Sequence, residues 1–212
     1  MSYKNRNLYV SFKGLVDKLL SLFLIILLFP LILFIVFFQI TINGFPVFYY
    51  GVRTGKDGKL FKIIKFRSMI KNAEKIGGDT TAKNDKRITK FGKFLRKTKF
   101  DEIPQLFNIL KGDMSFVGPR PELPYYTNQY NDLEKVILLV KPGITDFSSL
   151  KFINLDEEVG AFDSDNQYET KILKEKNALR IKYFNELSFT TDLKIFILTI
   201  IKVLLKIINL NK

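Results

Sequence analysis

The apolar positions are densest near the start of the chain. Residues 19–42 hold no charged side chain. As a helix this run would reach about 36 Å at 1.5 Å per residue, more than the roughly 30 Å of a bilayer's hydrocarbon core. A simple spanning helix is one reading. Pro30, near the middle, removes a backbone hydrogen bond and crowds the preceding turn, so a kink or break is expected there. Both flanks are basic, with Lys13 and Lys18 before the run and Arg53, Lys56, Lys59, Lys62, Lys65 and Arg67 after it. Lys and Arg mark the cytoplasmic side of a membrane segment, so this symmetry supports a second reading, a re-entrant helix that enters and leaves by one face. The first 18 residues resemble the basic start of a signal peptide. The apolar run is too long for one and no small-residue cleavage site closes it, so it is expected to be retained.

Beyond the run the periodicity changes. Residues 46–53 and 60–66 are rich in Val, Ile, Phe and Tyr, and Gly55-Lys56-Asp57-Gly58 between them has hairpin chemistry. Residues 71–90 are polar, with Gly77-Gly78, and predict a loop that covers a site. Ile88, Phe91, Phe94 and Leu95 then recur at helical spacing among Lys90, Lys93, Arg96 and Lys97, the pattern of a basic amphipathic helix. Ile103, Leu106, Phe107 and Leu110 predict a helix from about Asp101 to Gly112. Residues 123–140 carry a further helical pattern, 155–167 an acidic loop and 168–187 another helix. In 192–212, Lys194, Lys202, Lys206 and Asn209 share one side of a helical wheel, as in a helix lying on a bilayer; packing against the body is the alternative. The chain therefore reads as one mainly helical α+β domain, residues 1–212, without repeats or a linker.

Charge narrows the partners. The formal net charge is +13 and the pI about 9.7, which favours anionic partners: nucleic acid, lipid surfaces or phosphorylated substrates. With neither Cys nor His, thiolate nucleophiles, disulfides and imidazole or thiolate metal sites are excluded. Acid–base work must fall to Asp, Glu, Lys or Tyr. A metal would be a hard cation held by oxygen, with Mg²⁺ first among candidates.

The chemistry concentrates between Arg96 and Glu122. Asp101 and Glu102 open a predicted helix, and capping its N-terminus would explain them without any catalysis. Pro104 is tolerable in the first turn. The alternative starts from electrostatics. A carboxylate approaching a phosphate meets a repulsion of about 4 kcal/mol at 4 Å and an effective dielectric of 20, roughly a thousandfold in rate. Arg96, Arg120 and a bound Mg²⁺ could offset it. Aspartate is a competent nucleophile towards phosphoryl groups. In Gly118-Pro119-Arg120-Pro121-Glu122 the prolines hold the arginine at low entropic cost, as a phosphate clamp or as a rigid turn. Lys65 and Arg67 share strand parity and either face one anion together or form a solvated charged face.

Taken together, several motifs make the chain resemble the bacterial sugar transferases of the monotopic phosphoglycosyl transferase family. They are the apolar run with a central proline, Gly44-Phe45-Pro46-Val47-Phe48, Arg53-Thr54-Gly55 with Asp57-Gly58, Lys65-Phe66-Arg67-Ser68-Met69, Asp101-Glu102-Ile103-Pro104-Gln105, Asn108 with Lys111-Gly112-Asp113-Met114-Ser115, Gly118-Pro119-Arg120-Pro121, and Lys141-Pro142-Gly143-Ile144-Thr145. The resemblance covers nearly the whole chain. It implies a re-entrant helix over 19–42 broken at Pro30, and a catalytic part, 43–212, facing the cytoplasm on a bacterial inner membrane. It implies transfer of a sugar 1-phosphate from a UDP-sugar to undecaprenyl phosphate, with UMP released, at the start of glycan assembly. Asp101 would be the nucleophile and a ligand of Mg²⁺, Glu102 would assist proton transfer or metal binding, and Lys65, Arg67, Arg96 and Arg120 would contact substrate phosphates; no nucleic acid is expected as partner. Two positions depart from the family pattern: Phe29 replaces a serine common before the proline, and Asp146-Phe147 follows Pro142-Gly143-Ile144-Thr145 where Gly and an aromatic are usual. A reading from another class is a non-catalytic, membrane-anchored basic scaffold that binds anionic lipid or nucleic acid.

Overall fold

The computed structural model describes residues 3–78, 80–81, 84–155 and 164–208. The expected acidic loop falls largely on 156–163, outside the described residues, as does Asn209 of the C-terminal pattern.

The chain begins with α1 (Tyr3–Asn43), a helix of 41 residues that keeps its helical course through Pro30. The break expected there is not seen. The reason is lateral support: Leu28 packs against two core clusters at once, and Ile32 and Ile35 are buried just beyond the proline. A helix held on both sides of a missing hydrogen bond loses less by continuing. One face of α1 is fastened to the body along its length. Tyr9 and Lys13 donate to Asp192, Asp17 accepts from Ser115 Oγ at 2.7 Å, and Gln39 Nε2 donates to the Arg67 carbonyl at 2.7 Å. The opposite face exposes Leu15, Leu19, Leu22, Ile26, Leu33 and Phe37.

The predicted hairpin forms. β1 (Phe48–Thr54) and β2 (Leu60–Phe66) pair antiparallel, with Gly51 opposite Ile63. The connection needs positive φ at Asp57 (56°) and Gly58 (75°), residue types that tolerate it. The amphipathic segment becomes α2 (Lys90–Thr98), capped by Thr89, whose hydroxyl accepts from Gly92 N at 2.9 Å.

The helix expected from Asp101 to Gly112 is shorter. Phe100–Glu102 is a 3₁₀ turn, entered from Lys99 at φ 62°, and α3 (Gln105–Lys111) starts only after Pro104. Pro104 has no N–H to offer the Phe100 carbonyl, which instead accepts from Ile103 in the tighter i to i+3 pattern. Gly112, at φ 96°, ends α3 as expected. Asn108 joins α3 to the sheet edge: its Oδ1 accepts from Ile64 N at 2.9 Å and its Nδ2 donates to the Lys62 carbonyl at 2.8 Å.

A second, unpredicted sheet is parallel, β3 (Ser115–Val117) beside β4 (Gly143–Thr145). The helical pattern of 123–140 resolves into a short α4 (Pro124–Thr127) and a 3₁₀ segment, Glu134–Leu139. After β4 comes α5 (Phe147–Lys151). α6 (Ser164–Gln167) runs through a π turn, Tyr168–Ile172, into α7 (Leu173–Asn185), and α8 (Phe189–Ile208) closes the described chain. The main core joins α3, β3, α7 and α8 through Ile109, Phe116, Tyr183 and Ile195. On α8 two of the expected lysines reach back to the body: Lys202 donates to the Leu150 carbonyl and Lys206 to that of Ile153. Its outward face is apolar, with Ile197, Ile201, Leu204 and Leu205 exposed.

Candidate active site

α1, the 3₁₀ turn, β4, α5, α7 and α8 together surround a cleft of about 820 Å³. Its apolar wall includes Leu24 and Leu28 of α1, Leu106, Phe116 and Val203; its polar wall includes Lys65, Arg96, Lys99, Asp101, Glu102 and Arg120. Asn84, Asp85 and Ile88, from the polar loop that the sequence places over a site, also line it.

Asp101 and Glu102 are both buried, at 6% and 9% exposure, yet their surroundings differ. In a 3₁₀ turn consecutive side chains diverge by about 120°. Glu102 turns towards two cations: Lys65 Nζ donates to it at 2.9 Å, and Arg120 donates through NH1 at 3.2 Å and also through NH2. Burial alone would raise its pKa, but Arg120 and Lys65 more than offset that and hold it well below the usual carboxylate range. Asp101 Oδ1 is buried with no hydrogen-bond partner among the described residues. Burial first, and the adjacent Glu102 second, raise the Asp101 pKa above the ordinary value, against the pull of Lys65, Arg96 and Lys99. One carboxylate is thus committed to an ion-pair cluster, while the other keeps an oxygen free beside a basic wall.

Arg120 is held from three directions. Besides Glu102, its NH1 donates to the Ile144 carbonyl at 2.9 Å and its backbone N to Asp146 Oδ2 at 3.2 Å. Asp146 is fully buried and caps α5, its Oδ1 accepting from Ser149 N at 2.7 Å. The unusual Asp146 is therefore a cap that also fixes the arginine turn.

Of the cations expected to contact phosphate, Lys65, Arg96 and Arg120 line the cleft. Arg67 is not brought there. Its guanidinium NH2 donates to the carbonyls of Asn43 at 2.6 Å and Gly44 at 2.7 Å, closing the C-terminal end of α1, where helix carbonyls lack partners. It lies past the end of β2, so its expected parity with Lys65 does not apply. Lys99, absent from the sequence-based set, lines the cleft because its left-handed conformation starts the turn that carries Asp101.

A bound Mg²⁺ would have to be shared between Asp101 and the substrate. The orphaned Asp101 Oδ1 is the kind of oxygen a hard cation takes. No group of three acidic side chains able to hold a metal occurs among the described residues, so substrate phosphate oxygens and water would complete the coordination.

Compared with known proteins, residues 8–206 match the family model for bacterial sugar transferases. The chain is 40% identical over 178 residues to the galactosyl transferase CpsE of Streptococcus agalactiae, covering 79% of this chain and 36% of that protein. It is 40% identical over 196 residues to the UDP-glucose:undecaprenyl-phosphate glucose-1-phosphate transferase of Klebsiella pneumoniae, covering 90% and 40%. It is 36% identical over 192 residues to the sugar transferase EpsL of Bacillus subtilis, covering 91% and 87%. The chain thus spans well under half the length of the first two.

Proposed function

Since the chain belongs to the bacterial sugar transferase family, we propose that it moves a sugar 1-phosphate from a UDP-sugar to undecaprenyl phosphate. The Asp101 carboxylate attacks the β-phosphorus of the donor. The bond from that phosphorus to the bridging oxygen breaks, UMP leaves, and the sugar phosphate stays on Asp101 as an acyl phosphate. An oxygen of the polyprenyl phosphate then attacks the same phosphorus, which restores the carboxylate and yields a polyprenyl diphosphate sugar. The observation that carries this reading is the contrast within the acidic pair, a buried Asp101 oxygen without a partner beside a Glu102 held by Arg120 and Lys65. Glu102 fixes these two cations where the donor's phosphates approach, and Arg96 and Lys99 add positive charge around Asp101. Mg²⁺, held by Asp101 with the substrate, would neutralise phosphate charge.

The acceptor carries a long apolar chain, and the cleft is suited to it. Leu24 and Leu28, in the middle of the apolar run of α1, form part of the wall that also holds Asp101. A phosphate on a lipid can therefore reach the carboxylate along α1. The membrane reading we propose is a monotopic one, in which both ends of α1, continuous through Pro30, stay at the cytoplasmic face of the inner membrane. Polar contacts to the body at Tyr9, Lys13 and Asp17 and again at Gln39 support it, since a spanning helix would separate those two ends.

UMP release from a panel of UDP-sugars, in the presence of Mg²⁺ and undecaprenyl phosphate, tests the function. The wild type is expected to release UMP from at least one donor and Asp101→Asn to lose at least a thousandfold in rate. Undiminished turnover by Asp101→Asn contradicts the assignment. A non-catalytic scaffold predicts no UMP release from any donor, and steeply salt-dependent binding instead.

A further inference from the structure

The turn that ends in Glu122 sends its two charged side chains to different networks. Arg120 reaches Glu102, while Glu122 accepts from Arg180 NH2 at 3.0 Å and from the Tyr168 hydroxyl at 2.5 Å. Lys176 of α7 completes this second network: its Nζ donates to the Tyr168 hydroxyl at 3.0 Å and lies 4.7 Å from the centre of that ring. Lys176 also lines the cleft, in the wall that carries Arg120 and Lys65, and is only 6% exposed. The charged and titratable groups around it are Arg180 on its own helix, Glu122 and Arg120 on the turn, Asp146 at the head of α5 and Tyr168 in the π turn. Glu122, which accepts from the same Tyr168 hydroxyl, is already shared by Arg180 and Tyr168. No carboxylate forms an ion pair with Lys176 among the described residues.

A buried ammonium is ordinarily paired with an anion, because desolvation is costly without one. Lys176 has a phenol and an aromatic face instead, and its open side is the cleft. We propose that Lys176 contacts the diphosphate of the nucleotide donor and takes up a proton as that diphosphate binds. The inference rests on the phosphosugar-transfer reading of this cleft. Burial, and then the charge of Arg180, bring the lysine down to about 7 in the free protein. A diphosphate seated beside it supplies the missing anion and favours the ammonium. The proton comes from solvent, and no covalent bond changes. A lysine that only packs against Tyr168 would not sense the ligand.

Calorimetric titration of the full-length protein with UDP at pH 7.5, in two buffers of different ionisation enthalpy, counts the protons taken up. The wild type is expected to bind with an uptake of several tenths of a proton. Lys176→Arg, permanently charged, should bind UDP within about threefold of the wild type while that uptake disappears. Lys176→Met should lose about tenfold or more in affinity, the scale of one charge-assisted hydrogen bond. An uptake in Lys176→Arg equal to the wild type's overturns the proposal, as does wild-type affinity in Lys176→Met. If Lys176→Met does not fold, the comparison with Lys176→Arg decides alone. UMP release by the wild type, measured alongside, separates the failures: active protein without lysine-linked uptake removes only the role of Lys176, and inactivity on every UDP-sugar removes the reading beneath it.

Discussion

A carboxylate gripped by both Arg120 and Lys65 has its lone pairs engaged, so Glu102 is the poorer nucleophile of the pair and Asp101 the better one. The two also contribute to stability with opposite signs. The folded pKa of Glu102 lies below its unfolded value, so its contribution is present above the ordinary Glu pKa of about 4.3 and is lost as pH falls through the depressed folded value. Glu102→Gln, which strands two partly buried cations, is expected to cost about 3 kcal/mol near neutrality, and the loss should shrink in acid. Asp101 is the reverse. Its folded pKa is raised, so its charge opposes folding once pH exceeds the raised value, and the penalty vanishes below the ordinary Asp value of about 3.9. Asp101→Asn should therefore be more stable than the wild type by about 0.5–2 kcal/mol at neutral pH, with the gain disappearing in acid. Thermal unfolding of both variants in detergent across pH checks the signs. The placement of Asp101, Glu102, Arg96, Arg120 and Lys65 around one cleft was legible from the sequence through the motifs that carry the family resemblance; paired acids and a proline-flanked arginine alone left a cap and a rigid turn as equal readings. Lys99 and Glu122 were given no role although they lie in the same stretch, since neither a left-handed turn at Lys99 nor the partners of Glu122 leave a local signal; Lys176 was missed because folding brings it to the cleft from a helix where any charged residue would look the same. Arg67 was misplaced for a related reason: nothing local signals that a helix end folds back onto it.

Among the elements, α3 is the one on which the site's precision depends, since it follows the turn carrying Asp101 and is tied to β2, which carries Lys65. That tie is Asn108, whose side chain satisfies one backbone N–H and one carbonyl of β2. Asn108→Ala leaves both unpaired, and is expected to cost about 2–6 kcal/mol at roughly 1–3 per group, measurable as a lowered unfolding midpoint. The antiparallel hairpin and α2 could be read in advance because their apolar periods and turn residues are local. The parallel pair β3 and β4 could not: three residues each, joined across a long connection, leave no periodic trace. The start of α3 was set too early because apolar spacing alone does not register the tightened turn that Pro104 imposes.

At the scale of the whole molecule, the exposed apolar faces of α1 and α8 mark them as surfaces for a membrane or a partner. Two lysines of α8, Lys202 and Lys206, hydrogen-bond backbone carbonyls of the body, and its outward face is largely apolar. If α1 enters and leaves by one face, single cysteines at Gly14 and Lys59, in a chain with none of its own, should be equally shielded from an impermeant reagent added outside cells. Labelling of Gly14→Cys alone would favour a spanning helix. The central claim, however, is chemical, and an intact-mass measurement tests it most directly. Protein incubated with its UDP-sugar and Mg²⁺, without polyprenyl phosphate, should gain the mass of one sugar phosphate on the peptide that contains Asp101, and lose it when the acceptor is added. Turnover that requires both substrates together, with no adduct at any time, would contradict the account.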